Sequence, residues 1–278
     1  MNANPTAAGR LRAKSPVARI PTTATLRCHH PDTDRRLVRP RGPSRPAART
    51  AGPYAGEVRL GWDTSTDTVT VAVHDGAEVR SHRTGSAPRR HAEVLTPLVA
   101  EALAAADVEG PALAGIVVGV GPGAYTGLRV GLVTAQALGW AWHVPVHGAC
   151  SLDALAVQAV ADHPSRTADG LVVVADARRR QVFWARYDGS ARRVAGPHVA
   201  APDEVDTLGL PVVGSGAREH PTLFPEGREP VTPDAGWLLR GVAAGAVTLG
   251  PAEPVYLRRP DVTVAAGVKP VLQQGRPR

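Results

Sequence analysis

The sequence has two cysteines, a single methionine and no long apolar run, and each shortage closes off a class of protein. Cys28 and Cys150 stand far apart, so no disulfide framework and no four-thiolate zinc site is available, and a reducing compartment is expected. No window approaches the roughly 18 consecutive apolar residues that cross a bilayer. The opening residues also lack the compact apolar segment of a secretory signal. The expectation is a cytoplasmic chain that makes no membrane contact.

Charge is spread unevenly. Residues 1–56 hold eleven Lys and Arg against two Asp, a balance of +9, whereas the remainder balances at −2. The basic character therefore belongs to the N-terminal stretch, and the rest lacks the overall positive charge by which a domain grips nucleic acid through counterion release. Eight prolines (Pro5, Pro16, Pro21, Pro31, Pro40, Pro43, Pro46 and Pro53) and no apolar periodicity mark residues 1–56 as a disordered extension, a composition that cannot offset the entropy of ordering. The stretch is Arg-rich and acid-poor like an organelle transit peptide, but its scattered prolines break the amphipathic helix such a peptide needs. Because Met1 is the only methionine and the first predicted strand follows Glu57, translation from an alternative codon near Val58 is also expected.

From Glu57 onward the pattern becomes regular. Extended runs are predicted over 57–63, 68–75 and 78–83, the second alternating Val69, Val71 and Val73 with Thr68, Thr70 and Ala72, and Asp75-Gly76 is a hairpin signal. A helix over 91–106 follows, with Pro97 expected to kink it. Then come a buried strand over 113–120, a glycine-rich turn, a helix over 126–142 and a short strand over 144–146. Ser151 is placed to cap a helix over 152–162, after which strands at 171–175, 181–187 and 211–214 and a helix near 234–247 begin a second set. A three-stranded meander feeding alternating helices and strands, then a second such block, predicts a two-lobed α/β protein of the actin-like ATPase architecture. The first lobe is assigned to residues 57–150 and the second to 151–262, with the 234–247 helix packing back on the first and a flexible tail over 263–278.

Several clusters carry chemistry or imitate it. Asp63, Thr64 and Ser65, followed by Thr66, end the first strand, where they either face a nucleotide phosphate or merely close a hairpin as an Asx/Ser turn. The turn containing Gly121, Gly123, Thr126, Gly127 and Arg129 has the glycines and helix start that favour anions, Thr126 being a candidate cap, but it lacks the Lys-Ser/Thr of a P-loop. Behind it Gly127, Gly131, Ala135 and Gly139 recur every four residues as a low ridge, which packs either on the chain's own sheet or against a partner's helix. Asp176, Ala177, Arg178, Arg179 and Arg180 form a solvated turn or a contact for RNA or a partner. Trp184 and Tyr187 fit core or edge positions, since their segment lacks the aromatic pairs of an RNA-binding sheet. His143 and His147 have zinc-like spacing, but Pro145 between them rules out a regular helix, so both are read as structural.

Taken together, residues 60–66, His91-Ala92-Glu93-Val94-Leu95, the 121–129 turn, Val144 to Asp153, Asp176-Ala177-Arg178 and Pro254-Val255-Tyr256-Leu257-Arg258 closely resemble the TsaB (YeaZ-type) family of dimerisation subunits in the bacterial tRNA threonylcarbamoyladenosine system. The resemblance spans about Val58 to Arg259. Ala124 and Tyr125 stand where the family usually has Ser and Phe; Tyr keeps the ring, so the backbone path is expected to survive. The resemblance implies an actin-like fold shared with a catalytic relative, TsaD, whose metal-binding His-x-x-x-His positions appear here as Ser151 and Leu155. Neither replaces an imidazole, so no metal and no catalytic residue is expected. It further implies a TsaD-like catalytic partner, a TsaE-like ATPase and tRNA engaged indirectly through the complex; alone, the chain either pairs with a second copy as a homodimer or stays a monomer. ATP or ADP is expected at the level of the complex, with no cofactor held by this chain itself. Gly127, Gly131, Ala135 and Gly139, with Val94 and Leu98 of the first helix, are the expected partner interface. The rival reading is a stand-alone actin-fold phosphotransferase or metallopeptidase-like hydrolase.

Overall fold

The computed structural model describes residues 58–258 apart from 226 and 228; the expectations for residues 1–56 and 263–278 lie outside the described residues. Strands β1 (Arg59–Asp63), β2 (Thr68–His74) and β3 (Val79–Ser86) form the antiparallel meander that their alternation predicts. At the hairpin, Asp75 Oδ1 accepts from the N–H groups of Ala77 and Glu78 at 2.9 and 2.8 Å, and Gly76 takes a left-handed φ of 93°. Helix α1 (His91–Ala106) is assigned as one element with Pro97 inside it. Strands β4 (Gly115–Gly119) and β5 (Val146–Ala149) then add in parallel beside β1, joined by helix α2 (Tyr125–Trp142), giving the order β3-β2-β1-β4-β5.

Strand β5 lies later than the predicted 144–146. His143 leaves α2 in the left-handed conformation, and Pro145 has no N–H to give a ladder, although its carbonyl accepts from Ile116 N at 2.9 Å. Two expected caps are also corrected. Helix α2 starts at Tyr125 behind Ala124, so Thr126 lies inside it; helix α3 (Ser151–Asp162) starts at Ser151 itself, whose hydroxyl instead accepts from Gly121 N–H at 3.1 Å.

The pattern then repeats. Strands β6 (Leu171–Asp176), β7 (Val182–Tyr187), β8 (Arg193–Ala200) and β9 (Val212–Val213) form a second sheet in the order β8-β7-β6-β9, again an antiparallel meander with one parallel neighbour. Strand β8 is absent from the sequence reading because Gly196-Pro197 interrupts it. The structure accommodates them at a sheet edge with an irregular register, where a missing N–H is tolerated. Helices α4 (Ser215–Glu219) and α5 (Ala235–Ala243) follow. Asp234 caps α5 by accepting from Trp237 N–H at 3.1 Å, and Gly245 at φ 69° follows its end, so the helix is shorter than the 234–247 expected. Two sheets of matching topology make this a two-lobed actin-like α/β fold. No helix among the described residues is long and apolar enough to cross a membrane.

Packing follows the alternation. Leu60, Trp62, Val71 and Ile116 present one face of the first sheet to Leu95 and Val99 of α1 and to Leu132 and Ala135 of α2. The opposite face, with Ala72, Val117 and Ala149, meets Ala154 of α3 and Leu238 and Leu239 of α5. Helix α3 also packs Leu152, Leu155 and Ala159 among Val173, Phe183 and Tyr187 of the second sheet, so it belongs to both cores.

The glycine ridge of α2 faces inward. A Cβ at Gly127 would strike Thr64 O, one at Gly131 would strike Thr64 Oγ1, and one at Gly139 would strike Val146. Trp62 Nε1 donates to Gly131 O at 3.1 Å and Thr64 Oγ1 to Gly127 O at 2.9 Å. Gly127, Gly131, Ala135 and Gly139 are therefore the face by which α2 lies on its own sheet, which corrects their assignment to a partner interface. Val94 and Leu98 are half-buried over Gly85 of β3. The outward face of α2 instead exposes Val133 (65%) and Trp140 (82%).

This packing predicts that Gly131→Val destabilises the protein by about 1–3 kcal/mol in urea or thermal unfolding, a net loss despite the roughly 0.4 kcal/mol of helix propensity that valine gains over glycine. Val133→Ala on the outer face should change stability by less than about 0.5 kcal/mol. A Gly131→Val protein as stable as the parent contradicts the inward placement.

Candidate functional site

A cleft of about 470 Å³ opens between the ends of the two sheets. Its walls come from the β1–β2 turn (Ser65, Thr66), the glycine turn (Gly123 to Tyr125), the end of β6 (Asp176, Arg178) and the C-terminal segment (Val255 to Arg258). That last segment ties the sheets together, since Val255 N–H donates to Val120 O at 2.9 Å and Arg258 Nη1 to Ala177 O at 3.0 Å.

Of the predicted phosphate-facing turn, only Ser65 lines the cleft. Asp63 is fully buried and turned into its own loop, where Oδ1 accepts from Ser65 N–H at 2.8 Å and Ser65 Oγ at 2.6 Å, while Oδ2 has no hydrogen-bond partner. Burial raises its carboxyl above the ordinary value of 3.8, against the opposing pull of the neighbouring Ser151 and Ser65 hydroxyls. Thr64 is buried with its hydroxyl donated to α2. The assignment of Asp63 and Thr64 to a ligand-facing turn is thereby corrected: Thr64 joins the end of β1 to α2, and Asp63 closes its own turn.

The glycine turn is committed internally in the same way. Gly121 has φ 92° and gives its N–H to Ser151 Oγ, and Ala124 gives its N–H to Ser65 O at 2.8 Å. A side chain at Gly123 would strike the Ser65 carbonyl, so glycine is what lets the two turns touch. Two amides that an anion would seek are thus already hydrogen-bonded. His91 closes the arrangement, its Nε2 lying 2.8 Å from Thr66 O.

Ser151 and Leu155, at the positions that matter for a metal, are used by the fold: the first bonds the glycine turn and the second is fully buried in the core shared with the second sheet. No group of three or more His, Cys, Asp or Glu suited to a cation occurs among the described residues. His143 stands in the left-handed cap of α2 and His147 in β5.

At the rim, Arg129 lies with its guanidinium carbon 3.9 Å over the centre of the Tyr125 ring and donates Nε–H to Tyr256 Oη at 3.1 Å, and the two tyrosine rings are 4.8 Å apart. Across the cleft, Asp176 Oδ1 accepts from Arg178 N–H at 2.7 Å, and Asp176 N–H donates to Ser215 Oγ at 3.0 Å. Arg178, Arg179 and Arg180 are all exposed and all left-handed, with φ of 64°, 52° and 58°.

Against this geometry stand the comparisons with known proteins. The model of the family TsaD, tRNA N6-adenosine threonylcarbamoyltransferase, matches residues 79–229, more than half of the chain. YeaZ from Pseudomonas aeruginosa superposes with a TM-score of 0.62 at 28% identity, covering 72% of this chain and all of that one. The chain belongs to this family and is of its TsaB/YeaZ type. An uncharacterized protein of Mycobacterium leprae (strain TN) is 41% identical over 224 residues, 78% of this chain. The tRNA threonylcarbamoyladenosine biosynthesis protein TsaB of Bacillus subtilis (strain 168) is 33% identical over 129 residues, 46% of this chain. The matched regions span 58% and 54% of the length of those two relatives.

For a TsaB/YeaZ-type chain, the positions singled out in the sequence fall into two groups. Ser65, Gly123, Asp176 and Arg178 line the cleft, with Arg129 at its rim, whereas Asp63, Thr64, Gly127, Gly131, Ala135 and Gly139 are internal. Tyr125, Tyr256 and Arg258 were not singled out as site residues, although each lies within a stretch that carries the family resemblance. Also unflagged is the buried join of Asp153, which accepts from Tyr187 Oη at 2.8 Å and Arg193 Nε at 3.0 Å.

The buried Asp63 generates a pH prediction. Its pKa is raised on folding, so its charge lowers stability at neutral pH, and stability is regained as pH falls through the raised value. Asp63→Asn should therefore be stabilised relative to the parent at pH 7, with the difference shrinking toward pH 4 in paired thermal melts. A difference that does not change with pH contradicts this placement of the carboxyl.

Proposed function

We propose that the chain acts in tRNA threonylcarbamoyladenosine biosynthesis as a partner subunit of a TsaD-like catalytic subunit. In this reading it supports transfer of a threonylcarbamoyl group to the adenosine beside the anticodon of tRNAs that read codons beginning with A, and has little or no activity alone. The relatives named TsaB support the pathway. The observation that carries the subunit role is the outer face of α2. Trp140 is 82% exposed and Val133, seven residues earlier on the same stripe, is 65% exposed, with the small Ala137 between them. Exposed tryptophan on a rigid helix is the kind of anchor that dominates protein interfaces, because it buries a large ring at little entropic cost.

The inward commitment of Asp63, Thr64 and the Gly121 and Ala124 amides favours this reading over a stand-alone phosphotransferase, which needs such groups aimed at its substrate. Ser151 and Leu155 likewise offer no imidazole to a hydrolytic metal. When the partner is absent, the same apolar stripe pairs two copies of the chain, and a TsaE-like ATPase joins the hetero-complex.

The reading is tested by Trp140→Asp and Val133→Asp. Both change exposed side chains, so circular dichroism should show the fold intact, while affinity for the purified TsaD-like subunit falls at least about thirtyfold for Trp140→Asp, the scale of an interface anchor. Unchanged affinity in both variants removes this face from the interface.

A further inference from the structure

We infer that the rim of the cleft is a contact surface for single-stranded RNA, built from Tyr125 and Arg129 on the first lobe, Tyr256 on the C-terminal segment that bridges the two sheets, and the consecutive Arg178, Arg179 and Arg180 on the second lobe. The inference rests on the proposed role in tRNA modification for the identity of the RNA, and on the rim itself for the contact. Tyr125, Tyr256 and Arg178 line one cavity, and Arg129 is locked against both rings by its stack on Tyr125 and its bond to Tyr256. Fixed in this way, an exposed guanidinium and a tyrosine that is 40% exposed each present a flat face with hydrogen-bond donors at its edge. Bases stack on such planes without regard to sequence, and the phosphates between them meet nearby cations.

The second wall supplies those cations in a conformation the chain does not adopt freely. Three successive non-glycine residues with positive φ are unfavourable for side chains of this size. The turn is held by Asp176, which accepts from Arg178 N–H, and by Gln181 N–H donating to Arg178 O at 3.1 Å. Arg178 also lies 3.5 Å from the Asp176 carboxylate, and Asp67 and Glu219 share the cleft wall. These acids temper the field, yet the five arginines at positions 129, 178, 179, 180 and 258 outnumber them, although the residues beyond 56 balance at −2.

The layout suits an extended polyanion better than a single phosphate. A lone phosphate calls for converging amides, and at the glycine turn the Gly121 and Ala124 amides are bonded to Ser151 and Ser65. Cations and rings are instead spread along an open rim, which a strand of RNA can track.

The test uses the full-length chain and its complex with the TsaD-like subunit, with a fluorescent anticodon stem-loop RNA as probe and anisotropy read between about 50 and 200 mM salt. The double substitution Arg129→Gln with Arg178→Gln should weaken RNA binding by about tenfold and flatten the log–log salt slope by about 1.4, two contacts at roughly 0.7 each. Arg129→Lys, which keeps the charge and loses the plane, should weaken binding while preserving the slope. Subunit affinity should stay at the parental value throughout. Unchanged RNA affinity and slope in the double variant overturn the inference, as does loss of subunit binding with RNA affinity intact, which makes the rim a protein interface. RNA binding by the isolated chain is read separately from subunit binding, so failure of the partner reading is distinguishable from failure here.

Discussion

The closeness of α2 to the end of β1 governs the first lobe. Trp62 of the strand and Thr64 just past its end donate hydrogen bonds to carbonyls of the helix, and they reach only because Gly131 and Gly127 have no side chain in the way. The helix is thereby pinned in rotation as well as position. Its small-residue stripe is used up against the sheet, Val133 and Trp140 are forced outward, and the glycine turn that precedes it is pressed onto Ser65. The outward face of α2 and the shape of the cleft are both consequences of that one approach.

A second join makes the two lobes one body of structure. Helix α3 begins beside the cleft, which its Leu152 lines, with its first hydroxyl holding Gly121, and it packs residues into the cores of both sheets. Asp153 anchors its start to the second sheet through Tyr187 and Arg193; burial raises this carboxyl, and the Arg193 charge and the Tyr187 hydroxyl oppose the rise. Burial likewise raises the adjacent Cys150 thiol, which keeps it protonated and unreactive. Polar groups around the α3 start serve cohesion here.

Much of the fold was legible because it is written in local patterns: alternation in β1 to β3, the Asp75-Gly76 turn, and the apolar stripe of α1. Strand β8 was not, since a Gly-Pro pair contradicts strand propensity and only its edge position reconciles the two. The candidate site was legible in part. Periodicity shows that Gly127, Gly131, Ala135 and Gly139 share a face, but it carries no information on what that face meets, so the ridge was assigned to a partner when it belongs to the chain's own sheet. Asp63 and Thr64 read in sequence as a carboxylate and a hydroxyl in one turn, but which way such side chains point depends on neighbours sixty to ninety residues away. The Tyr125, Arg129 and Tyr256 cluster joins residues more than a hundred positions apart, a pairing that no local spacing encodes.

The central claim is that this polypeptide works by supporting another. It is tested most directly by reconstituting the tRNA modification from purified components, with the TsaD-like subunit alone, this chain alone, and the two together, and quantifying threonylcarbamoyladenosine in the recovered tRNA. The account predicts modification that depends on both chains and none from this chain by itself. Modification that proceeds equally well without this chain, or that this chain performs unaided, would contradict it.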